Sequence, residues 1–197
     1  MTVVRLSDGT LWVHSPVQLD GALREDLRTL GPVRFVVAPN RYHHLYVGDY
    51  FGAYPAAQLY AAPGLQEKRP DLSFHGRLGD QPAAGWAGQI DQVLFPLPIL
   101  NDVVFCHRAS RTLIVTDLVF NVRDHPSRLT RLVFRFENAY GRLAPIRTWR
   151  LLIRNHAAAA AAIDRILAWD FDRVIVTHGE VLASGGRDAV RSAFAWL

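Results

Sequence analysis

Apolar positions in this chain alternate between two spacings. Val3–Leu6 and Leu11–His14 are short extended runs around the turn signal Ser7-Asp8-Gly9, and they predict a hairpin. Leu19, Leu23, Leu27 and Leu30 then recur three and four apart, which predicts a helix over Leu19–Leu30 stopped by Gly31-Pro32. Val33–Val37 reads as a buried strand broken by Pro39-Asn40. A short helix is expected over His44–Phe51 and a short strand over Gln58–Ala61. The stretch from Gln66 to Gly88 is rich in proline, glycine and charge, and reads as a long loop.

The second half repeats the alternation. Ile90–Leu94 reads as a strand, and Val103–His107 with Thr112–Thr116 as a hairpin around Arg108-Ala109-Ser110-Arg111. Leu129–Tyr140 and Arg147–Ile153 read as helices. His156–Trp169 does so more strongly, with six consecutive alanines followed by Ile163, Ile166 and Leu167 on one face. Arg173–Val176 is the last expected strand and Arg187–Trp196 the last helix. No repeat of roughly 20–50 residues is present. Strand-rich halves, each closed by helices, point to an α/β sandwich with helices on its outer faces.

Composition narrows the class. A chain of 197 residues fits one domain, 1–197, large enough to bury a substantial core. Half the residues are apolar and a fifth charged, as in soluble globular proteins. No apolar run reaches the roughly 18–20 residues of a membrane span, so no integral membrane segment is expected. The start of the chain lacks the basic and apolar regions of a signal peptide. The single Cys106 excludes an internal disulfide and fits a reducing cytoplasm, the expected location. Cys106 reads as a small apolar core residue, with His107 facing the other way.

The net charge of +4 is unevenly spread. Between Arg123 and Arg154 stand eight arginines and only two acids, Asp124 and Glu137. Arg128, Arg131 and Arg135 share one helix face. This face reads either as a patch for phosphate or acidic lipid headgroups, or as a solvated surface, the commoner case. Dispersed aromatics and the lack of a recognition motif argue against nucleic acid as a partner. A small-molecule substrate is the expected partner, and the oligomeric state stays open.

Three of the strands end in side chains that can hold a metal. Val33–Val37 leads to His43-His44, Thr112–Thr116 leads to Asp117, and Val174–Val176 leads to Thr177-His178-Gly179. Each has a plainer alternative. His178 could cap a strand end, Asp117 could cap the following turn, and His43 and His44 diverge in any regular backbone. His14, His75, His107, His125 and His156 have no motif around them and read as surface or core residues.

The order of these parts resembles the metallo-β-lactamase-like superfamily over nearly the whole chain. Four features carry the resemblance: the N-terminal hairpin, the histidine pair after the strand ending near residue 38, the hairpin into Thr116-Asp117-Leu118-Val119-Phe120, and the final strand into Thr177-His178-Gly179. More narrowly, Pro39-Asn40-Arg41-Tyr42-His43-His44-Leu45, Ala62-Pro63-Gly64-Leu65 and Trp169-Asp170-Phe171-Asp172-Arg173-Val174 look like an uncharacterised bacterial branch, a domain of unknown function. The resemblance implies a four-layer αββα sandwich with metal ligands on loops at one edge of two sheets.

It also implies where ligands should stand. Members carry His-x-His-x-Asp-His after the strand that here ends at Val37. With the last two positions on His43-His44, the first two histidines fall on Pro39 and Arg41, neither of which can ligate. A further family histidine falls near Pro98, so the first metal site is lost as a set. The second would keep His43, His44, Asp117 and His178, a sensible set for one Zn²⁺ or Fe²⁺ ion. A one-place shift instead sets Asn40 and Tyr42 on the first two histidines and leaves His44, Asp117 and His178.

Two functions follow. In one, the chain is a metal-dependent hydrolase with at most one ion, acting on an ester, lactone, thioester or phosphoester, with Arg41 holding an anionic group of the substrate. In the other, no metal is bound, Arg41 fills the lost site against Asp117, and the chain is a non-catalytic binding or scaffold protein. The retained Asp117 and His178 at equivalent strand ends weigh toward the first.

Overall fold

The computed structural model describes residues 1–197. Its first half is a five-stranded sheet. β1 (Thr2–Arg5) and β2 (Leu11–His14) form the expected antiparallel hairpin, and Asp20 caps α1 (Gly21–Leu30) by accepting from Leu23 N. β3 (Val33–Ala38) then pairs in parallel with β2, and after α2 (Val47–Ala53) comes β4 (Gln58–Ala61), parallel to β3. α3 (Leu65–Lys68) and β5 (Gly76–Arg77) lie in the stretch expected to be loop, and β5 adds a fifth strand beside β4.

The second sheet holds β6 (Ile90–Phe95), β7 (Asp102–His107), β8 (Thr112–Ile114) and β9 (Arg173–Ile175), in that spatial order. β6, β7 and β8 run antiparallel, while β8 and β9 run parallel. Between β8 and β9 come α4 (Arg128–Phe136), α5 (Arg147–Leu152) and α6 (His156–Leu167); α7 (Gly186–Ala193) follows β9.

Side chains on successive strand residues point to opposite faces, and that period sorts the core into layers. Trp12, Phe35, Val37, Val103, Phe105 and Ile114 meet between the sheets. Their neighbours Leu11, Val13, Val36 and Ala38 face α1 and α2 on one outer side. Val104, Cys106 and Leu113 face α6 and α7 on the other. The result is the expected order of helix, sheet, sheet, helix. Burial at Cys106 pushes its thiol up to about 12, in keeping with a core role. Trp86, inside the expected loop, is fully buried between the sheets.

One boundary moves for a physical reason. The helix expected from His44 begins at Val47, because Asn40 Oδ1 accepts from the backbone N–H groups of Tyr42 and His43, both at 2.8 Å. These bonds, with His44 N on Tyr42 O, hold residues 41–46 in turns.

Candidate metal centre

The C-terminal ends of β2, β3, β8 and β9 converge at one edge of the two sheets. Each parallel strand delivers a residue there: Ser15 after β2, Asn40 and His43 after β3, Asp117 after β8, and His178 after β9. His43 Nε2 lies 3.3 Å from Asp117 Oδ2, and His178 Nε2 lies 3.3 Å from Asp117 Oδ1. The ligand atoms of His43, Asp117 and His178 all fall within 4.8 Å of one another.

The distances discriminate between two kinds of contact. A charge-assisted hydrogen bond is about 2.7–2.9 Å long. Two donors on one tetrahedral ion with bonds of about 2.1 Å stand ~3.4 Å apart. The observed 3.3 Å matches the second spacing. Two imidazoles and a carboxylate are also the donor types of a three-ligand zinc or iron site. The residues present therefore fit one ion.

The surroundings fix each ring. Ser15 Oγ lies 2.9 Å from His43 Nδ1, which leaves Nε2 turned toward Asp117. His178 stacks on Phe120 with centroids 5.3 Å apart and planes at 13°. Its backbone is stitched to the chain after β8: Asn121 N donates to His178 O at 3.1 Å, and Asn121 Nδ2 to Glu180 O at 2.7 Å.

Asp117 is buried and held from a third side. With its Oδ1 taken by two backbone donors, Asn40 must present its amide nitrogen, and this donates to Asp117 Oδ2 at 2.8 Å, Asp102 Oδ1 at 2.9 Å and Thr116 Oγ1 at 3.1 Å. Thr116 Oγ1 also donates to Asp102, and Asp117 N donates to Asp102 Oδ2 at 3.1 Å. Burial opposes the charge on Asp117, but the His178 and His43 ring nitrogens that face it outweigh this and hold the carboxyl well below the usual range. Asp102 goes the other way. Burial and then the Asp117 charge push it up to about 7, against the bonds from Thr116 and Asn40.

The remaining expected site residues lie elsewhere. His44 borders the same pocket but is not part of the triad. Its Nδ1 faces Arg69 Nη1 at 3.3 Å, and its Nε2 is buried without a partner. Burial, then Lys68 and Arg69, lower its pKa. A turn rather than a helix or strand separates the two neighbouring rings, so only His43 reaches the triad. Arg41 does not pair with Asp117. Its side chain lies along Gly64, and Nη1 points to Ile99 O at 3.4 Å. What takes the flank of Asp117 is the Asn40 amide, a donor where a ligand would be needed.

A pocket of about 450 Å³ opens over the triad. His43, Asp117 and His178 are at its base, and Val17, Tyr42, Leu45, Tyr46, Leu100 and Trp149 supply apolar wall. No arginine or lysine lines it. A larger cavity of about 590 Å³, between Arg123, Arg142, Arg150 and Trp196, contains none of the triad.

Sequence reasoning missed three members of this network. Asn40 carried a signal, since Asn after a strand often hydrogen-bonds the backbone two residues on. Asp102 carried a weaker one, an acid opening an apolar strand. Ser15 carried none.

Similar proteins agree with this architecture. A family profile described as "Domain of unknown function (DUF4336)" matches residues 1–70, which include Asn40 and His43 but not Asp117 or His178. No curated protein matches the chain. Among solved structures, the metal-soaked flavodiiron core of Flv1 from Synechocystis sp. PCC6803 superposes with a TM-score of 0.67 at 14% identity. That match covers 98% of this chain, which spans about half, 51%, of the flavodiiron chain. The metallo-β-lactamase FIM-1 from Pseudomonas aeruginosa, in its mono-zinc form, gives a TM-score of 0.59 at 14% identity, covering 98% of this chain and 82% of that one. A metallo-β-lactamase from Hirschia baltica gives 0.60 at 11% identity, covering 98% and 83%. The chain therefore has the metallo-β-lactamase fold, and its residues 1–70 match a domain of unknown function within it.

Proposed function

We propose that this chain is a hydrolase with a single metal ion, Zn²⁺ or Fe²⁺, acting on an uncharged ester, lactone or thioester with an apolar body. The observation that carries this reading is the triad of His43, Asp117 and His178, with its two 3.3 Å spacings. A metallo-β-lactamase of the same fold has been solved in a mono-zinc form, which supports a one-ion site here.

When bound, the ion supplies a water nucleophile made acidic enough to act near neutral pH. The chain's own residues do the rest. His43 and His178 present Nε2, and Asp117 stays ionised between them. Ser15 and Asn40 fix the orientation of His43 and Asp117. The apolar wall from Val17, Tyr42, Leu45 and Trp149 accepts the body of the substrate. With no arginine or lysine lining this pocket, an uncharged substrate is favoured over a phosphoester, and Arg41 has no part in holding it.

The second reading, a metal-free binding protein, draws on Asn40, whose amide takes one flank of Asp117. Elemental analysis of protein purified without a His-tag separates the two. About one zinc or iron per chain, lost in both His43→Ala and His178→Ala, is expected, together with metal-dependent turnover of a panel of nitrophenyl esters and lactones. A folded chain with no metal after supplementation and no turnover would sink the hydrolase reading.

A further inference from the structure

α4 turns its apolar side away from its own protein. No residue of this nine-residue helix is buried. At about 100° per residue, Leu129, Leu132, Val133 and Phe136 fill one arc ~100° wide. Phe134, which packs on Phe120 with centroids 5.8 Å apart, lies about 150° from the middle of that arc. Leu129, Leu132 and Phe136 are accordingly 70%, 64% and 68% exposed. α5 continues the same surface. Arg147 N donates to Glu137 O at 2.8 Å, and the Arg147 guanidinium sits over the Phe136 ring at 5.3 Å. One turn further along α5, Leu151 is 76% exposed.

The charge beside this surface has one sign. Arg128 and Arg135 flank the apolar arc on one side, Arg131 lies further round toward Asp124, and Arg147 and Arg154 follow on and after α5, while Arg150 turns to Trp196. Of the two acids in the segment, Glu137 is occupied by Thr148, whose N and Oγ1 donate to it at 2.9 and 2.8 Å. Asp124 accepts from His125 N at 2.8 Å and lies 3.9 Å from Arg131. A second copy of the chain docking across a two-fold axis would set these arginines against their own equivalents. A bilayer with anionic headgroups instead takes both halves: leucines and phenylalanine at the acyl boundary, guanidinium groups on phosphates.

We propose that α4 and α5 form a reversible docking surface for anionic lipid bilayers. The test is co-sedimentation of the full chain with phosphatidylcholine–phosphatidylglycerol vesicles, against phosphatidylcholine alone. Binding is expected to the anionic vesicles only and to weaken with added salt. The double variant Leu132→Asp/Phe136→Asp is expected to bind about tenfold or more weakly. Arg128→Gln/Arg135→Gln should do likewise through lost headgroup attraction. Both variants should keep the circular dichroism and melting temperature of the parent, because every substituted side chain is exposed and Phe134, which packs on Phe120, is untouched. Absence of binding to either vesicle, equal binding to both, or binding indifferent to these variants would overturn the proposal. So would a concentration-dependent dimer that Leu132→Asp/Phe136→Asp makes monomeric, which would assign the surface to a second copy.

Discussion

The side-chain amide of Asn40 donates to Asp117 Oδ2 at 2.8 Å, joining the turn after β3 to the end of β8 across 77 residues of sequence. The same nitrogen reaches Asp102, so one amide stands between two buried carboxyl groups. Asn40→Ala removes the donor and leaves both without it. A loss of about 2–4 kcal/mol is expected, read from the midpoint of denaturant unfolding, because the groups left behind stay buried and one is charged. A change below about 0.5 kcal/mol would show that water replaces the amide without cost.

Ser15 and His44 provide a paired test of the ligand set. Ser15→Ala frees the His43 ring, and a drop of about 10–100-fold in zinc or iron affinity is expected, as for other partners that orient a ligand. His44→Gln should leave affinity unchanged, since the Nδ1 of His44 faces Arg69. Titration against a competing chelator measures both. The reverse pattern, with His44 the sensitive position, would reassign the site.

His14 sets an acid limit on stability. It is buried beside Trp12 and Phe105, its Nε2 has no partner, and burial followed by the nearby His43 holds its pKa well below the ordinary value. In the unfolded chain the ring gains a proton below about pH 6.5. From that pH downward the unfolded state binds more protons than the fold, so stability falls as pH falls, by up to ~1.4 kcal/mol per pH unit from this group. His14→Phe is expected to flatten that decline between about pH 6.5 and 5 in denaturant unfolding. Parallel curves for the two proteins would place the acid sensitivity elsewhere.

Gly179 holds the turn that aims His178. Its φ is +115°, and a Cβ there would stand 2.3 Å from Asn121 O. Gly179→Ala must therefore displace backbone. A cost of about 3 kcal/mol or more is expected in thermal or denaturant unfolding, with metal content falling in parallel. Full metal loading at unchanged stability would mean that the turn has room the structure does not show.

Much of the fold was legible because period decides which side chain faces which layer. The alternation of Leu11, Trp12 and Val13 or of Val36 and Val37 reads directly as two faces, and the structure places those faces in different cores. Asp117 and His178 were legible for a similar reason, since polar groups at the ends of apolar strands need a use. His43 against His44 was not, because the turn that separates them is set by a side chain, Asn40, and not by any regular backbone period. Ser15 reaches His43 across 28 residues, and no local pattern announces such a contact. Trp86 was hidden by its small alanine and glycine neighbours, which show no strand or helix period. α4 failed in the opposite sense. Leu129, Leu132, Val133 and Phe136 have the spacing of a core-facing stripe, yet they face out.

β9 is the outer strand of its sheet, pairs with β8 and, through Val174, with Leu182 on its other side, and leads directly to His178. A nascent chain leaving the ribosome carries His43 and Asp117 long before β9 emerges. Both sheets can form up to β8 while the donor set is still two-thirds complete. On the proposed one-ion reading, the donor set is complete only once this one three-residue strand has docked.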